Sequence, residues 1–496
     1  MTARMLMVQG TASSVGKSLL VAGLCRLYAR RGFRVAPFKS QNMALNSFAT
    51  PGGGEIGRAQ ALQAEAAGVV PDVDMNPVLL KPTGEAGSQL VLLGRPRGVY
   101  RVREYYALKE QLWPVVTGAL DRLRRNYDII FAEGAGSPAE INIRRNDIAN
   151  MEVALYAGAP VLLVGDIERG GVFAALLGTM ELLTEREREL VAGFVINKFR
   201  GDESLLAPGM ALIRKRTGRP VLGVLPYLPD LCLDEEDSMG LSGRGAKPHP
   251  GDLVVAVVRL PRMSNYTDFL PLETEDGVAV CYVDRPAELA AAHVVILPGS
   301  KETLADLHWL RRRGLDRALV DFAAGGRPLL GICGGFQMLG RTIQEGEEVV
   351  AGLGLLPVST RFEAEKRTVQ VEGVTAGGAW GLPGGLPVRG YEIHMGVTRV
   401  EGGKPLFLLK TGAKETVPEG CVAANDGIAG TYLHGCFDAD LFRRRWIAAM
   451  RQRAGLPPRS THQTGYAVRR QQDLNRLADM LAERIGVDRL DGILGL

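Results

Sequence analysis

A chain of 496 residues is longer than one hydrophobic core usually serves, so at least two domains are expected. Its composition, 46% hydrophobic and 23% charged, excludes a disordered chain, and 62 glycines without a G-x-y period exclude a collagen. The 59 basic and 55 acidic residues leave a charge of +4, too small and too dispersed to predict a nucleic-acid partner, though a carboxylate-rich small substrate stays open. No apolar run reaches the roughly 18 residues of a membrane span, and the start of the chain is too short before its first glycine loop to read as a signal peptide. Cys25, Cys232, Cys281, Cys333, Cys421 and Cys436 form no C-x-x-C pair. Reduced thiols in a cytoplasmic protein are expected.

In chain order, short β-branched runs at 5–10, 127–134, 160–166, 192–199 and 220–227 predict strands. Helix-length stretches separate several of them. Residues 18–30 place Leu19, Leu20, Leu24 and Leu27 on one side and end in Arg30-Arg31-Gly32, a cationic last turn and a stop. Near-continuous apolar strands alternating with helices predict a parallel, doubly wound α/β sheet covered on both faces. The pattern breaks at 233–250, where the acidic run Asp234–Asp237 leads into a Gly/Pro-rich stretch that reads as a linker. A second α/β series follows, with strands at 253–260, 293–299 and 328–331. The Gly/Pro-rich segment 377–390 predicts a surface excursion, and the arginine-rich end predicts helices. The expected domains are 1–235, a linker at 236–251, 252–450, and a helical extension at 451–496.

Gly10-Thr11-Ala12-Ser13-Ser14-Val15-Gly16-Lys17-Ser18 follows a predicted strand and opens a predicted helix. Glycines let successive backbone N–H groups turn toward phosphate oxygens, and the helix N-terminus adds a favourable dipole. Lys17 would reach the outer phosphates and the Ser18 hydroxyl would bind Mg²⁺. Five residues separate the two glycines, a spacing that resembles the dethiobiotin-synthetase-like branch of phosphate-loop proteins. Glu133 ends a hydrophobic strand where metal-bound ATP needs a carboxylate. Asp166 ends another such strand and is a second candidate.

Pro328–Gln337 reads as a strand running into a G-x-C-x-G turn that presents Cys333 at the sheet's C-terminal edge. The next N–H and the helix dipole would stabilise thiolate and oxyanion. A second glycine turn at Leu297-Pro298-Gly299-Ser300 supplies further N–H groups, so Gly299 and Gly334 are the oxyanion candidates. The base candidate is His434 in Thr431-Tyr432-Leu433-His434-Gly435-Cys436; His394 is its competitor.

These residues make the second domain resemble a class I glutamine amidotransferase, with Cys333 as nucleophile and His434 as base. Such enzymes carry a glutamate two residues after the histidine, and here that position is Cys436. The departure resembles the cobyric and cobyrinic acid synthase group, which works with a cysteine–histidine pair. Glu392 is a candidate for orienting His434. The stretches Pro37–Met43, Glu133–Asn142, Asp166–Ala174, Asn197–Asp202 and Gly390–Gly396 extend the resemblance to the cobyric acid synthase family over residues 5–445.

The resemblance implies ATP- and glutamine-dependent amidation of peripheral carboxylates on a corrinoid, adenosylcobyrinic acid a,c-diamide, four in all. The corrinoid's cobalt is a passenger. Lys39 would join Lys17 in spreading phosphoryl charge, and Asn197 would read the adenine. The alternatives are a cobyrinic acid a,c-diamide synthase and, from another class, a non-catalytic ATP switch of the partition-protein kind with an inert amidotransferase-like domain.

Overall fold

The computed structural model describes residues 2–84, 87–144, 147–234, 247–410, 415–459 and 464–496. It divides into two compact units. The first comprises Met1–Ala44, Thr50–Glu236 and Arg470–Leu496; the second comprises Leu45–Ala49 and Asp237–Arg469. Most of the expected linker at 236–251 lies outside the described residues. The stretch expected as one C-terminal extension is shared, since residues from Arg470 onward belong to the first unit. Among the described residues no helix is long and apolar enough to cross a membrane.

The first unit is built on six parallel strands: β1 (Arg4–Gly10), β2 (Val35–Phe38), β3 (Ile129–Glu133), β4 (Val161–Asp166), β5 (Val191–Phe199) and β6 (Val221–Pro226). Their spatial order is β6-β5-β4-β1-β3-β2. All of β3 and β4 is buried, as expected for a sheet covered on both faces. Strand β1 lies between β4 and β3, and the loop that begins at Gly10 leaves its C-terminal end. Helix α1 (Lys17–Arg30) starts there, and α2 (Arg58–Ala67) packs alongside α1. A four-stranded sheet that includes Gln41–Met43 and Val78–Thr83 was not anticipated from the sequence.

The C-terminal residues pack into this unit through Leu474, Leu477, Leu481 and Leu490, all essentially inaccessible. A buried ion cluster accompanies them. Asp234 accepts from both Arg470 and Arg58, at 3.0 and 2.9 Å, and Arg470 also reaches Glu65. Burial alone would raise the Asp234 pKa, but the two guanidinium groups overcome it and hold it at about 2.

The second unit carries another six-stranded sheet: β7 (Leu253–Val258), β8 (Val278–Val283), β9 (Val294–Leu297), β10 (Leu329–Ile332), β11 (Cys421–Val422) and β12 (Ile428–Thr431). The order is β8-β7-β9-β10-β12-β11, parallel except for the edge strand β11. A second, mostly antiparallel sheet in this unit was not anticipated. Its long members are Val358–Thr375 and Pro387–Val400. The segment expected as a surface excursion therefore ends inside a strand, and its Trp380 is buried, with the indole N–H bonded to the Gly427 carbonyl at 2.9 Å. Glycine and proline density marked the hairpin connection correctly, but the indole pulls it onto the core.

Candidate functional site

In the first unit, β1 delivers Gly10 into the loop and α1 begins at Lys17. Gly16 has φ +100°, and a Cβ there would collide with the Asn197 amide, so only glycine suits the position. The Lys17 ammonium donates to the carbonyls of Ala12 and Gly136 at 3.0 and 3.1 Å, spanning the loop. Thr11 donates its N–H to Val164 in β4. Asn197, expected to read a base, donates its side-chain N–H to the Val15 carbonyl at 2.8 Å. Beside it, Lys198 donates to the Ser14 carbonyl at 2.8 Å and to Asp166 at 2.9 Å. Asn197 and Lys198 thus hold two loop carbonyls, at Val15 and Ser14.

Glu133 is the hub of the site. It accepts from the Ser18 hydroxyl at 2.8 Å, from Lys39 at 2.9 Å and from the Gln63 amide at 2.7 Å. Burial would raise its pKa, but the Lys39 charge, the hydrogen bonds from Lys39 and Gln63, and the Lys17 charge prevail and hold it below the usual range. Two lysines against one carboxylate leave a net positive pocket suited to phosphate. Mg²⁺ prefers oxygen donors. Ser18 Oγ and Glu133 supply two within 2.8 Å of each other, and the buried Gln63 Oε1 has no hydrogen-bond partner. The donor set fits the ion. Gln63 was missed from sequence; the only signal was a pair of glutamines, Gln60 and Gln63, one turn apart in an otherwise alanine-rich helix.

In the second unit, Cys333 follows β10 directly with φ +50° and ψ −108°, a conformation that side chains avoid. Its N–H donates to the Thr431 carbonyl at 2.7 Å, which ties the turn to β12. At Gly335 a Cβ would collide with the Leu297 carbonyl, so the turn can only close over glycine. The Gly299 and Gly334 loops meet: a Cβ on Gly334 would lie 2.8 Å from the Ser300 nitrogen, and one on Gly299 would lie 3.1 Å from His434 Cε1.

His434 is fully buried, and its Nδ1 bonds Asp268 at 2.7 Å. The other oxygen of Asp268 accepts the Gly435 N–H at 2.9 Å, so the carboxylate grips ring and backbone together. The Tyr391 ring stacks on the imidazole, with centroids 5.3 Å apart. Burial would lower the His434 pKa, but Asp268 raises it, aided by Cys333, and it stands at about 10. Cys333 adds to that rise through both hydrogen bonding and charge.

His394, the competitor, is placed differently. It stacks on Tyr432 at 3.7 Å and bonds the Gly396 carbonyl through Nδ1. Burial dominates there and pushes its pKa down to about 4. Glu392, expected as an orienting group, pairs instead with Arg367, because strand alternation turns its neighbour Tyr391 toward the imidazole. The orienting carboxylate is Asp268, which the sequence reading missed. It stands 166 residues before His434, in a one-turn 3-10 helix, Tyr266–Phe269. The available signal was a polar run, Ser264-Asn265-Tyr266-Thr267-Asp268, just beyond the C-terminal end of β7.

Comparison with known proteins bears on both units. Residues 6–241 match a CobQ/CobB/MinD/ParA nucleotide binding domain, and residues 254–442 match a CobB/CobQ-like glutamine amidotransferase domain. A cobyric acid synthase of Desulforudis audaxviator is 78% identical over 496 residues, covering all of both chains. The chain belongs to the cobyric acid synthase family. Relatives of that name from Sorangium cellulosum and Moorella thermoacetica are 52% and 50% identical, again over 100% of this chain and 99% and 98% of theirs. Membership accounts for the two unlike sites in one chain: one family domain binds nucleotide and the other is an amidotransferase.

Proposed function

We propose that the protein is a cobyric acid synthase, amidating four peripheral carboxylates of adenosylcobyrinic acid a,c-diamide with ATP and glutamine to give adenosylcobyric acid. The observation that carries this reading is full-length similarity at 78% identity to a protein of that name. The retained pair of sites, with His434 on Asp268 in one and Ser18 on Glu133 in the other, supports it.

In the amidotransferase unit, the Cys333 thiolate attacks the carboxamide carbon of glutamine. The N–H groups at Gly299 and Gly334 receive the oxyanion. His434, charged through its contact with Asp268, gives its Nε2 proton to the departing ammonia. Now neutral, it takes a proton from the water that cleaves the thioester and releases glutamate. In the synthetase unit, a carboxylate must first be activated. Lys17 and Lys39 spread the charge of the γ-phosphoryl group as it passes to the substrate carboxylate, and ammonia then displaces phosphate from the acyl phosphate. Ser18 and Glu133 would hold Mg²⁺, which would neutralise charge at the phosphates.

Mass spectrometry of the corrinoid after incubation with ATP and glutamine tests the proposal. Each amidation replaces OH by NH₂. Four replacements are expected; two, starting from cobyrinic acid, would instead fit the a,c-diamide synthase, and none would fit an inert switch.

A further inference from the structure

A five-residue segment, Leu45–Ala49, lies inside the stretch matched by the nucleotide-binding family yet belongs to the second compact unit. The chain enters it from Ala44 and leaves it at Thr50, both of the first unit. We propose that Ser47 and Phe48 in this segment are positioning residues of the glutamine-hydrolysing site. The inference rests on the reading of that site given above.

The segment touches the supports of all three reacting or orienting groups. Phe48 packs against Tyr391 with ring centroids 5.5 Å apart, and Ala49 joins Tyr391 and Ile393 in a small buried cluster. Tyr391 is the residue that stacks on His434, and the two exchange backbone hydrogen bonds of 3.1 and 2.9 Å. The Ile393 carbonyl accepts from the Cys333 thiol at 3.6 Å. The Ser47 N–H donates to Asn265 Oδ1 at 3.0 Å. Asn265 has φ +54° and accepts the Asp268 N–H on its own carbonyl at 3.0 Å. A left-handed residue persists only where its surroundings hold it. The Ser47 bond is one such hold, and it fixes the turn that presents Asp268. Gln370 closes the arrangement by donating to the Ala49 carbonyl at 2.9 Å.

The imidazole is therefore backed by a ring that is itself backed by Phe48, and the carboxylate that orients it sits on a turn held by Ser47. An active-site geometry displaced by about 1 Å can cost two orders of magnitude in rate, so loosening this backing should appear in turnover rather than in binding. The contacts given above reach the backing of His434 and the turn that carries Asp268, so the expected effect is on kcat with KM nearly untouched.

The test uses the full-length protein with Phe48→Ala, Phe48→Leu and Asn265→Ala. Glutamate release is measured for kcat and KM, and corrinoid amidation is measured with saturating ammonium salt in place of glutamine. Phe48→Ala is expected to lower kcat for glutamate release about tenfold, leave KM within about twofold and leave ammonia-supported amidation within about twofold. Phe48→Leu should recover most of the rate, and Asn265→Ala should reproduce the split. Unchanged glutamate release in both Phe48→Ala and Asn265→Ala would overturn the proposal. If Phe48→Ala loses both activities together, Phe48→Leu decides: a fall confined to glutamate release supports positioning, and a parallel fall overturns it. Glutamate release that survives Cys333→Ser would overturn the site itself and this inference with it.

Discussion

In the phosphate-loop unit the reactive groups are bound to one another. Ser18, Lys39 and Gln63 all rest on Glu133, and Lys17 spans the loop through two carbonyls. In the thiol unit the reactive groups are held from behind. Cys333 sits in a strained turn, and His434 is gripped at Nδ1 by Asp268. The first site's charged groups already bond one another, so a nucleotide there has to compete with those bonds. The second site is completed by folding. One prefers adaptability toward a large polyanion; the other needs a fixed geometry for a small neutral amide.

The sharpest way to break this comparison is to disable each half alone. Cys333→Ser should abolish glutamine-dependent amidation and leave amidation from ammonium salts. Lys17→Ala should abolish amidation from either nitrogen source while glutamate release continues. Parallel assays of glutamate, corrinoid mass and phosphate release would check both. Failure of ammonia to rescue a folded Cys333→Ser variant would refute two separate sites.

The next effect in size tests the preset half. Asp268→Asn keeps shape but removes the charge that raises the His434 pKa. In comparable triads the loss of the orienting carboxylate costs orders of magnitude, and about two to four are expected here in kcat for glutamate release. Ammonia-supported amidation should not change. A fall smaller than about threefold would mean that packing under Tyr391 orients the ring by itself.

Much of this was legible in the sequence, and the parts that were not share a cause. The phosphate loop and the Cys333 turn are contiguous, and each needs glycine at fixed positions, so local spacing exposes them. Most strands of the two main sheets follow from short apolar runs, many ending in glycine or a turn, whereas β2, β8, β11 and β12 were not anticipated. Asp268 and Gln63 leave no such trace, because each meets its partner only through the fold, across 166 and 70 residues respectively. The antiparallel sheet of the second unit was missed because its strands mix charged and apolar residues, as half-exposed strands do. The assignment of Leu45–Ala49 to the second unit is likewise invisible to any reading that divides the chain into contiguous domains.

A smaller effect probes the phosphate-loop half. Gln63 donates to Glu133 and to the Ser18 carbonyl, at 2.7 and 3.2 Å, and its oxygen is unpartnered. Gln63→Ala should raise the Mg²⁺ concentration needed for half-maximal nucleotide binding by about tenfold, with glutamate release unaltered. Titration of a fluorescent ATP analogue against Mg²⁺ reads this directly. An unchanged Mg²⁺ midpoint would assign Gln63 to holding the helix rather than the site.

The smallest effect belongs to Cys436, which stands where a class I amidotransferase carries its glutamate. To replace that glutamate the thiol would have to ionise beside the imidazole. Burial works against this first, and the negative charges of Asp268, Asp438 and Glu419 add to it, so its pKa is pushed well above the ordinary thiol value. A neutral thiol offers His434 no charge and only a weak acceptor. The orienting role is already taken by Asp268, which uses one oxygen on the ring and the other on the Gly435 N–H. Cys436→Ala should therefore leave glutamate release within about twofold and cost only the packing of one buried sulfur, about 1 kcal/mol of stability. Its rate should follow the same pH profile as the wild type between pH 6 and 9, because no titration of the thiol occurs there to be lost. A tenfold fall in turnover, or a limb of that profile that disappears with the sulfur, would return Cys436 to the catalytic centre and take the orienting role away from Asp268.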